Sequence, residues 1–445
     1  MVRATLVLLL PGLAIATLAH AGSTPVGAMN GARASGTATL LPDGDVFITG
    51  GTDAGGDHPR TAERFDLATS TWLTPAPATL VNAGGPFPTV VRLAAGSLVF
   101  VGGFSTRVDR YDPVADSWTN LGDTARTLAG PAAYEVAPGV IMLAGGERTG
   151  GIPDVQGERF NTVLATRAAL ASELEVHDAG PSIQLADGRV VVAGGAHADG
   201  TRSLATEVYA PAADTWTAAG PLHAERVASA SVVLADGRLL VIGGDCAEVH
   251  SLSCYGRTAE ALSPTTLKWT STASLLEPLR DFTATRIADG RVVVIGGEGT
   301  DLASSDRVEV YDPGTDQWSW SIPLPAPRTL HTASATPSGI LVAGGRVGAA
   351  TVATALLYVP ELFTPPVPDG AVDAGPGGGP DAGHADAGSG AGADATSNPG
   401  GGDAGSGPPG AGGGGCASHA DGSAPLLLGL VGVALGLRRR RRSAR

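Results

Sequence analysis

The sequence predicts an all-β protein in which seven four-stranded sheets form a β-propeller closed by an N-terminal strand. The main observation is an apolar run that ends in Gly-Gly and occurs seven times in the 445 residues. The second glycines of these runs are Gly51, Gly103, Gly146, Gly195, Gly244, Gly297 and Gly345, so successive repeats lie 43 to 53 residues apart. A period of about 50 residues is typical of four-stranded propeller blades.

Each repeat divides into the same four strands. In four repeats the first leads into an Asp-Gly turn, which favours a two-residue hairpin with positive φ. These turns are Asp43-Gly44, Asp187-Gly188, Asp236-Gly237 and Asp289-Gly290. The second is the apolar run, whose Val, Ile and Leu residues predict burial on both faces. The third carries an acid two residues before an aromatic, as in Glu63/Phe65, Asp109/Tyr111, Glu158/Phe160, Glu207/Tyr209 and Glu309/Tyr311. The fourth contains a tryptophan in five repeats: Trp72, Trp118, Trp216, Trp269 and Trp318.

The two ends of the repeat region predict how the ring closes. The last unit shows only three strands, 332–336, 340–343 and 355–358, before Pro360 and Pro365. Residues 24–33 align without gaps to residues 217–226, which end the fourth unit. We therefore expect residues 24–29 to form the outer strand of blade seven, which removes the unpaired sheet edges of an open array.

Two segments carry a family resemblance. The sequences VEVYDPGTDQW (308–318) and RYDPVADSW (110–118) resemble the kelch repeat, and the likeness extends from residue 24 to about residue 360. It implies a scaffold similar to the central domain of the galactose oxidase type. In the third repeat Phe160 is not followed by a tryptophan, and in the fifth Leu262 replaces the aromatic residue. We expect those two blades to be packed less tightly.

The same resemblance raises the copper radical chemistry of galactose oxidase. In that family two tyrosines, two histidines and a Cys–Tyr crosslink build the metal site. Here most tyrosines of the repeat region, Tyr111, Tyr209, Tyr311 and Tyr358, occupy the repeated third-strand position, which packing explains. We therefore predict no cofactor and no metal site. Calcium stays open through loop aspartates such as Asp53 and Asp301, although no calcium-binding motif supports it.

The chain ends predict export and anchoring. Residues 1–21 resemble a signal peptide, with Arg3, an apolar stretch and a small-x-small site at 19–21. The propeller then spans 22–365. Residues 366–415 contain little but Gly, Ala, Asp, Pro and Ser, which predicts a disordered linker. Export permits a disulfide between Cys246 and Cys254, with metal ligation as the alternative.

The final segment, 416–445, joins a cysteine to a short apolar stretch and an arginine block, Arg438 to Arg442. It is similar to the MYXO-CTERM sorting tails of myxobacterial surface proteins. That resemblance implies processing or lipidation at Gly415 and Cys416 by a sorting protease in the membrane. The alternative is an unprocessed transmembrane helix that anchors the chain. We expect a short hydrophobic helix in either case, with the protein at the cell surface or outer membrane, or secreted after processing.

Basic residues at nearly equivalent places suggest a ligand site at the mouth of the channel. They are Arg33, Arg126, His177, Arg226, Arg280 and Arg328. Guanidinium groups there are suited to a carboxylate or a sulfated glycan. The competing interpretation is structural, because six third strands carry an acid that such residues can pair with.

These observations predict a monomeric, non-catalytic module that binds a protein or glycan through the variable loops after Gly-Gly. The alternative is a secreted carbohydrate-active enzyme, an oxidase or lyase, with its site at the channel mouth. The net charge of −14 argues against nucleic acid as a partner.

Overall fold

The computed structural model describes residues 22–361 with gaps, and residues 423–424. The gaps are 60, 75–87, 104, 129, 149–151, 154, 176, 179, 198, 200, 228 and 245–255. The predictions for the signal peptide, for Cys246 and Cys254, and for Gly415 and Cys416 lie outside these residues. So do the linker and all of the C-terminal segment apart from 423–424.

The described part of the chain is a seven-bladed β-propeller of four-stranded antiparallel blades, as predicted. The inner strands are Thr37–Leu40, Pro88–Arg92, Ala132–Ala137, Ser182–Gln184, Ala230–Val233, Thr283–Arg286 and Thr332–Thr336. The second strands are Val46–Thr49, Leu98–Gly102, Val140–Ala144, Val190–Ala193, Leu239–Ile242, Val292–Ile295 and Gly339–Ala343. We number the blades one to seven in this order.

The third strands are Ala62–Asp66, Ser105–Asp112, Glu158–Asn161, Thr206–Ala210, Ala259–Leu262, Val308–Asp312 and Ala355–Tyr358. The outer strands of blades one to six are Thr71–Leu73, Ser117–Leu128, Thr166–Ala169, Thr215–Ala218, Trp269–Thr272 and Gln317–Trp320. Short strand pairs occur in two loops, Glu147–Arg148 with Ile152–Pro153 and Arg346–Val347 with Ala350–Thr351. Ser423–Ala424 pairs with the inner strand of blade six.

The N-terminal strand closes the ring, as the repeat alignment predicts. Ser23–Val26 is the outer strand of blade seven and pairs with Ala355–Tyr358, Ser23 opposite Tyr358. The strand is shorter than predicted, because after Val26 the chain turns toward blade one, where Met29 is buried. The first residues after the predicted leader are thus part of the fold.

The second strands form the core, because each lies between two neighbouring blades. Val292–Ile295, for example, is buried along its whole length. Farther out, aromatic pairs join the third and outer strands, with the rings of Tyr311 and Trp318 5.0 Å apart. Hydrophobic clusters cross from blade to blade, as one does from Val232 to Val294. The packing between blades therefore rests on the residues that carry the repeat pattern.

The Asp-Gly turns differ from the predicted two-residue hairpin. In blade five the Leu234 N–H donates to the Arg238 carbonyl at 2.8 Å, and the Gly237 N–H donates to the Leu234 carbonyl at 3.0 Å. Gly237 has a φ of 84°, whereas Asp236 is not among the residues with positive φ. This is a three-residue loop in which only the glycine is left-handed. The prediction was wrong because Asp-Gly serves both kinds of hairpin.

We call the end of the propeller with the loops after Gly-Gly, such as 298–304, the loop face. The same end carries the linkers between each outer strand and the next inner strand. The opposite end, with the Asp-Gly turns and turns such as 113–116, is the turn face. Among the described residues no helix is long and apolar enough to cross a membrane.

Candidate functional site

A polar cluster recurs under the linkers of the loop face. In blade five the buried Glu260 accepts hydrogen bonds from two consecutive N–H groups, those of His223 at 2.8 Å and Ala224 at 3.2 Å. The same pair of contacts occurs at Glu63 in blade one, Glu207 in blade four and Glu309 in blade six. The third-strand acid therefore holds the linker that leads into its own blade.

Two blades complete the cluster with an arginine. The Arg226 side chain is 1% exposed and donates to Glu260 at 2.9 Å, to the carbonyls of Gly243 and Thr258, and to the Thr258 hydroxyl. Burial lowers the pKa of Arg226, although Glu260 opposes this effect. Arg33 contacts Glu63 in the same way at 2.8 Å. The structural pairing is confirmed at these sites.

In blade four a histidine takes the place of the arginine. His177 Nε2 lies 3.2 Å from Glu207 Oε1, and its Nδ1 lies 2.7 Å from the Gly194 carbonyl. Burial of Glu207 raises its pKa, but the hydrogen bond from His177 and those from the linker outweigh this, so the pKa is lowered overall. The pair thus favours the ionised carboxylate.

Blade six keeps the acid but lacks the cation. Leu279 occupies the position of Arg226, three residues after the first N–H donor. Among the described residues no cationic group lies within ion-pair distance of Glu309. Its carboxyl is fully buried, and burial raises its pKa to about 7 against the opposing hydrogen bonds from the N–H groups of Leu276 and Glu277.

Blade seven shows the opposite change. Arg328 is 3% exposed, but the third strand has Leu356 where other blades have the acid. The linker has Pro325 where blade five has His223, so one of the two N–H donors is missing as well. Arg328 donates to the carbonyls of Gly344 at 3.1 Å and Thr354 at 3.3 Å. Burial lowers its pKa to about 10.

The six predicted basic residues do not form one ring. Arg33, His177, Arg226 and Arg328 occupy the buried position just described. Arg126 and Arg280 are displaced along their linkers by two residues and one residue, respectively. Arg126 donates to Gln156, and Arg280 pairs with Glu298. Ligand contact by these six residues stays a prediction, and Arg280 lines a cavity.

That cavity lies on the loop face at the junction of blades six and seven and has a volume of ≈ 490 Å³. Its lining residues are Arg280, Asp281, Glu298, Leu302, Ala303, Ser304, Pro327, Thr329, Leu330, Arg346 and Gly348. Both blades at this junction have an incomplete acid–cation cluster. Blade three is incomplete as well, since Leu128 stands at the position of Arg226 and no cation pairs with Glu158 among the described residues. At the junction of blades six and seven, a blade that keeps the acid without the cation adjoins a blade that keeps the cation without the acid.

Backbone strain surrounds the same cavity. Asp281, Leu302 and Leu330 have φ values of 53°, 62° and 55°, which L-residues rarely adopt. The Leu330 N–H donates to the Asp281 carbonyl at 3.3 Å, which ties the two blades together. Leu302 is 59% exposed on the loop above the cavity. Ser35 has a φ of 57° at the position of blade one that corresponds to Asp281 and Leu330, so the left-handed backbone there belongs to the repeat. Leu302 is the strained residue that the variable loop adds.

The charged groups of the cavity are unequally paired. Arg280 contacts Glu298, with Nε 3.0 Å from Oε1, and lies 3.9 Å from Asp281. The Arg346 guanidinium, in contrast, makes no hydrogen bond or ion pair with any residue that the structure describes, and its Nε is buried. Arg346 therefore presents unused donors to the cavity.

Sequence reasoning missed Arg346 and Glu298. Both directly follow a Gly-Gly pair, where blade one has Thr52 and blade four has Ala196. The signal in the sequence was Leu356, which stands where other repeats have the third-strand acid. A blade without this acid has no carboxylate to pair with its basic residues. The pairing partners of those residues became visible only in three dimensions.

Comparisons with known proteins agree with the repeat. Residues 226–276 and 280–319 match the Kelch motif. The chain is 34% identical to spermatocyte protein spe-26 of Caenorhabditis elegans over 102 residues, 23% of this chain and 18% of that protein. It is 34% identical to Kelch-like protein 35 of Mus musculus over 89 residues, 20% of this chain and 15% of that protein. The matched residues thus span less than a fifth of the length of either relative.

Among solved structures, the chain resembles a fungal alcohol oxidase of the AA5 family, in complex with copper. The TM-score is 0.61 at 16% sequence identity, and the match covers 76% of each chain. At this identity the likeness shows the propeller fold alone.

Four described tyrosines of the repeat are engaged by hydrogen bonds within the propeller. The hydroxyls of Tyr111, Tyr209 and Tyr311 each donate to the aspartate five residues later, at 2.8 to 2.9 Å. Tyr358 of blade seven donates to Ser321, which directly follows the outer strand of blade six. Within the described part of the chain, no three His, Cys, Asp or Glu side chains are grouped to hold a metal ion.

Proposed function

We propose that this chain is a non-catalytic binding module that acts outside the cytoplasm and contacts a protein or glycan through the loop face. The observation that carries the proposal is the cavity between blades six and seven, with the strained Leu302 on its loop and the Arg346 guanidinium, which has no partner among the described residues. Loops on a rigid scaffold are the usual place for recognition. The repeated clusters beneath them supply that rigidity.

Anchoring belongs to the same proposal. A signal peptide at 1–21 and a sorting tail at 416–445 would deliver the propeller, as a monomer, to the cell surface or outer membrane. The tail would contact the membrane and its sorting protease. Mass spectrometry of both ends of the mature protein tests this. A chain that begins at Gly22 and ends near Cys416 supports it, whereas an intact residue 1 contradicts it.

Binding is tested with the full chain on protein and glycan arrays. Leu302→Asp on the loop face and Val114→Asp on the turn face form a matched pair, since the two side chains are 59% and 96% exposed. Aspartate tolerates the left-handed backbone at 302. We expect saturable binding that Leu302→Asp weakens and Val114→Asp leaves unchanged.

An oxidase or lyase is the alternative outcome. The same preparation is screened for turnover of carbohydrates with added Cu²⁺ or Ca²⁺. Metal-dependent product formation would overturn the non-catalytic assignment. Binding that both variants leave unchanged would place the ligand elsewhere than on the loop face.

A further inference from the structure

We infer that the cavity between blades six and seven binds a carboxylate group, with Arg346 as the direct contact. This inference rests on the proposed function and names the chemistry of its ligand. It starts from two adjacent blades that depart from the repeat in opposite ways, since departures from local rules are expected at functional sites.

The first step concerns charge in blade seven. Replacement of the acid by Leu356 leaves Arg328 buried without a carboxylate partner among the described residues. Pro327 and Thr329, on either side of Arg328, line the cavity. A buried positive charge therefore lies directly behind the cavity wall, where the low dielectric lets its field act on a bound anion.

The second step concerns the groups in the cavity itself. Arg280 and Arg346 carry two positive charges, and Asp281 and Glu298 carry two negative charges. Arg328 adds one positive charge behind the wall, so these five groups together carry one excess positive charge. A singly charged anion restores neutrality, whereas a doubly charged phosphate or sulfate would be repelled by Asp281 and Glu298.

The third step concerns geometry and surroundings. A guanidinium presents parallel N–H donors that match the two oxygens of a carboxylate. Ser304 and Thr329 line the same cavity as polar neighbours, and Leu302, Pro327 and Leu330 supply aliphatic surface. A carboxylate joined to a partly apolar body satisfies both kinds of surface. An acidic side chain and an acidic sugar are the two sources of such a group.

The experiment measures calorimetric binding of four probes to the full chain. Two carry carboxylates: a trigalacturonate and the capped peptide Leu-Glu-Leu-Glu. Two are their neutral counterparts: the methyl-esterified trisaccharide and Leu-Gln-Leu-Gln. We expect saturable binding of at least one acidic probe and none of its neutral counterpart. The probe that binds identifies the source of the carboxylate.

Variants then assign the contact. Arg346→Ala should lower the affinity for the acidic probe about tenfold or more, as expected for the loss of a hydrogen bond to a charged group. The affinity of Arg346→Lys for this probe should lie between those of the wild type and Arg346→Ala. Lysine keeps the positive charge but lacks the paired N–H donors of the guanidinium. Arg291→Ala is the control. This arginine is on the turn face of blade six, paired with Asp289 at 2.7 Å, and its removal should leave probe binding unchanged.

A chemical readout covers the case in which a variant folds poorly. Phenylglyoxal modifies accessible arginines of the wild-type chain, and mass spectrometry of peptides locates the product. The acidic probe should slow modification of Arg346 and leave that of Arg238, on the turn face, unchanged.

Several results would overturn the inference. They are equal binding of acidic and neutral probes, absence of binding by both acidic probes, tighter binding of inorganic phosphate, or an unaffected Arg346→Ala variant. Binding on the arrays that persists in Arg346→Ala would refute the carboxylate site alone and leave the proposed function standing. Absence of any array ligand, with probe binding intact, would refute only the proposed function.

Discussion

Removal of the cation from blade one should convert its polar cluster into that of blade six. Arg33→Leu places at this position the residue type that blade six has at 279. The variant loses hydrogen bonds from the guanidinium to Gly50, Thr61 and Glu63, and Glu63 keeps only its two linker N–H donors. Both side chains of the Arg33–Glu63 pair are at most 3% exposed, so water cannot replace the lost partner.

The magnitude follows from burial. Loss of one partner of a buried ion pair costs about 3–5 kcal/mol of folding free energy. Glu309 shows what the remaining acid experiences, since its pKa is raised from 4.5 to about 7 by burial. Between these two values the folded state binds more protons than the unfolded state, so stability falls as the pH rises. This part of the penalty is absent below about pH 4.5 and reaches about 3 kcal/mol above about pH 7.

Urea unfolding of the wild type and Arg33→Leu at about pH 5 and about pH 8 tests this reasoning. The variant should be less destabilised at the lower pH by about 2 kcal/mol. The double variant Arg33→Leu/Glu63→Gln should lose this dependence on pH, because the titrating group is gone. A destabilisation of Arg33→Leu that is equal at the two pH values, or below about 1 kcal/mol at the higher one, would refute the argument.

Three further predictions test other parts of the fold. Glu309→Gln should gain stability relative to the wild type as the pH rises from about 5 to about 8, by up to about 3 kcal/mol in urea unfolding; a constant difference would contradict the raised pKa. Deletion of residues 22–30 should abolish cooperative thermal unfolding by circular dichroism, because blade seven loses its outer strand, and an unchanged melting temperature would disprove the closure. Trp318→Ala should cost about 3–5 kcal/mol. In the same strand Trp320→Ala should cost about 1 kcal/mol, since that ring is only partly buried and has Arg307 above it. Equal losses of folding free energy in the two variants would show that burial does not determine the cost of removing the ring.

The incomplete clusters of blades six and seven connect the scaffold to the proposed site. One blade retains Glu309 without its cation, and the next retains Arg328 without its acid. Either change alone leaves a buried charge uncompensated, which costs stability. Blade three also keeps its acid, Glu158, without a cation at this position. It is therefore the meeting of two opposite departures at one cavity that supports a binding site there.

The architecture could be predicted from sequence patterns alone. Seven apolar runs at a spacing of 43 to 53 residues allow one blade each. The incomplete last unit and the alignment of the first residues indicated the closing strand before the pairing of Ser23 with Tyr358 was seen. The hydrophobic pattern of a strand and the length of a repeat depend on residues that are close together in the sequence. Both can therefore be recognised without knowledge of the three-dimensional contacts.

The tertiary structure alone decided the chemistry of the loop face. Counting back from Gly-Gly placed Arg126 and Arg280 near Arg226, but a displacement of one or two residues sends a side chain to a different neighbour. Which arginine is buried with an acid, and which faces a cavity, depends on contacts between segments tens of residues apart. Such contacts fix burial and charge compensation, and these two quantities distinguish a structural arginine from Arg346.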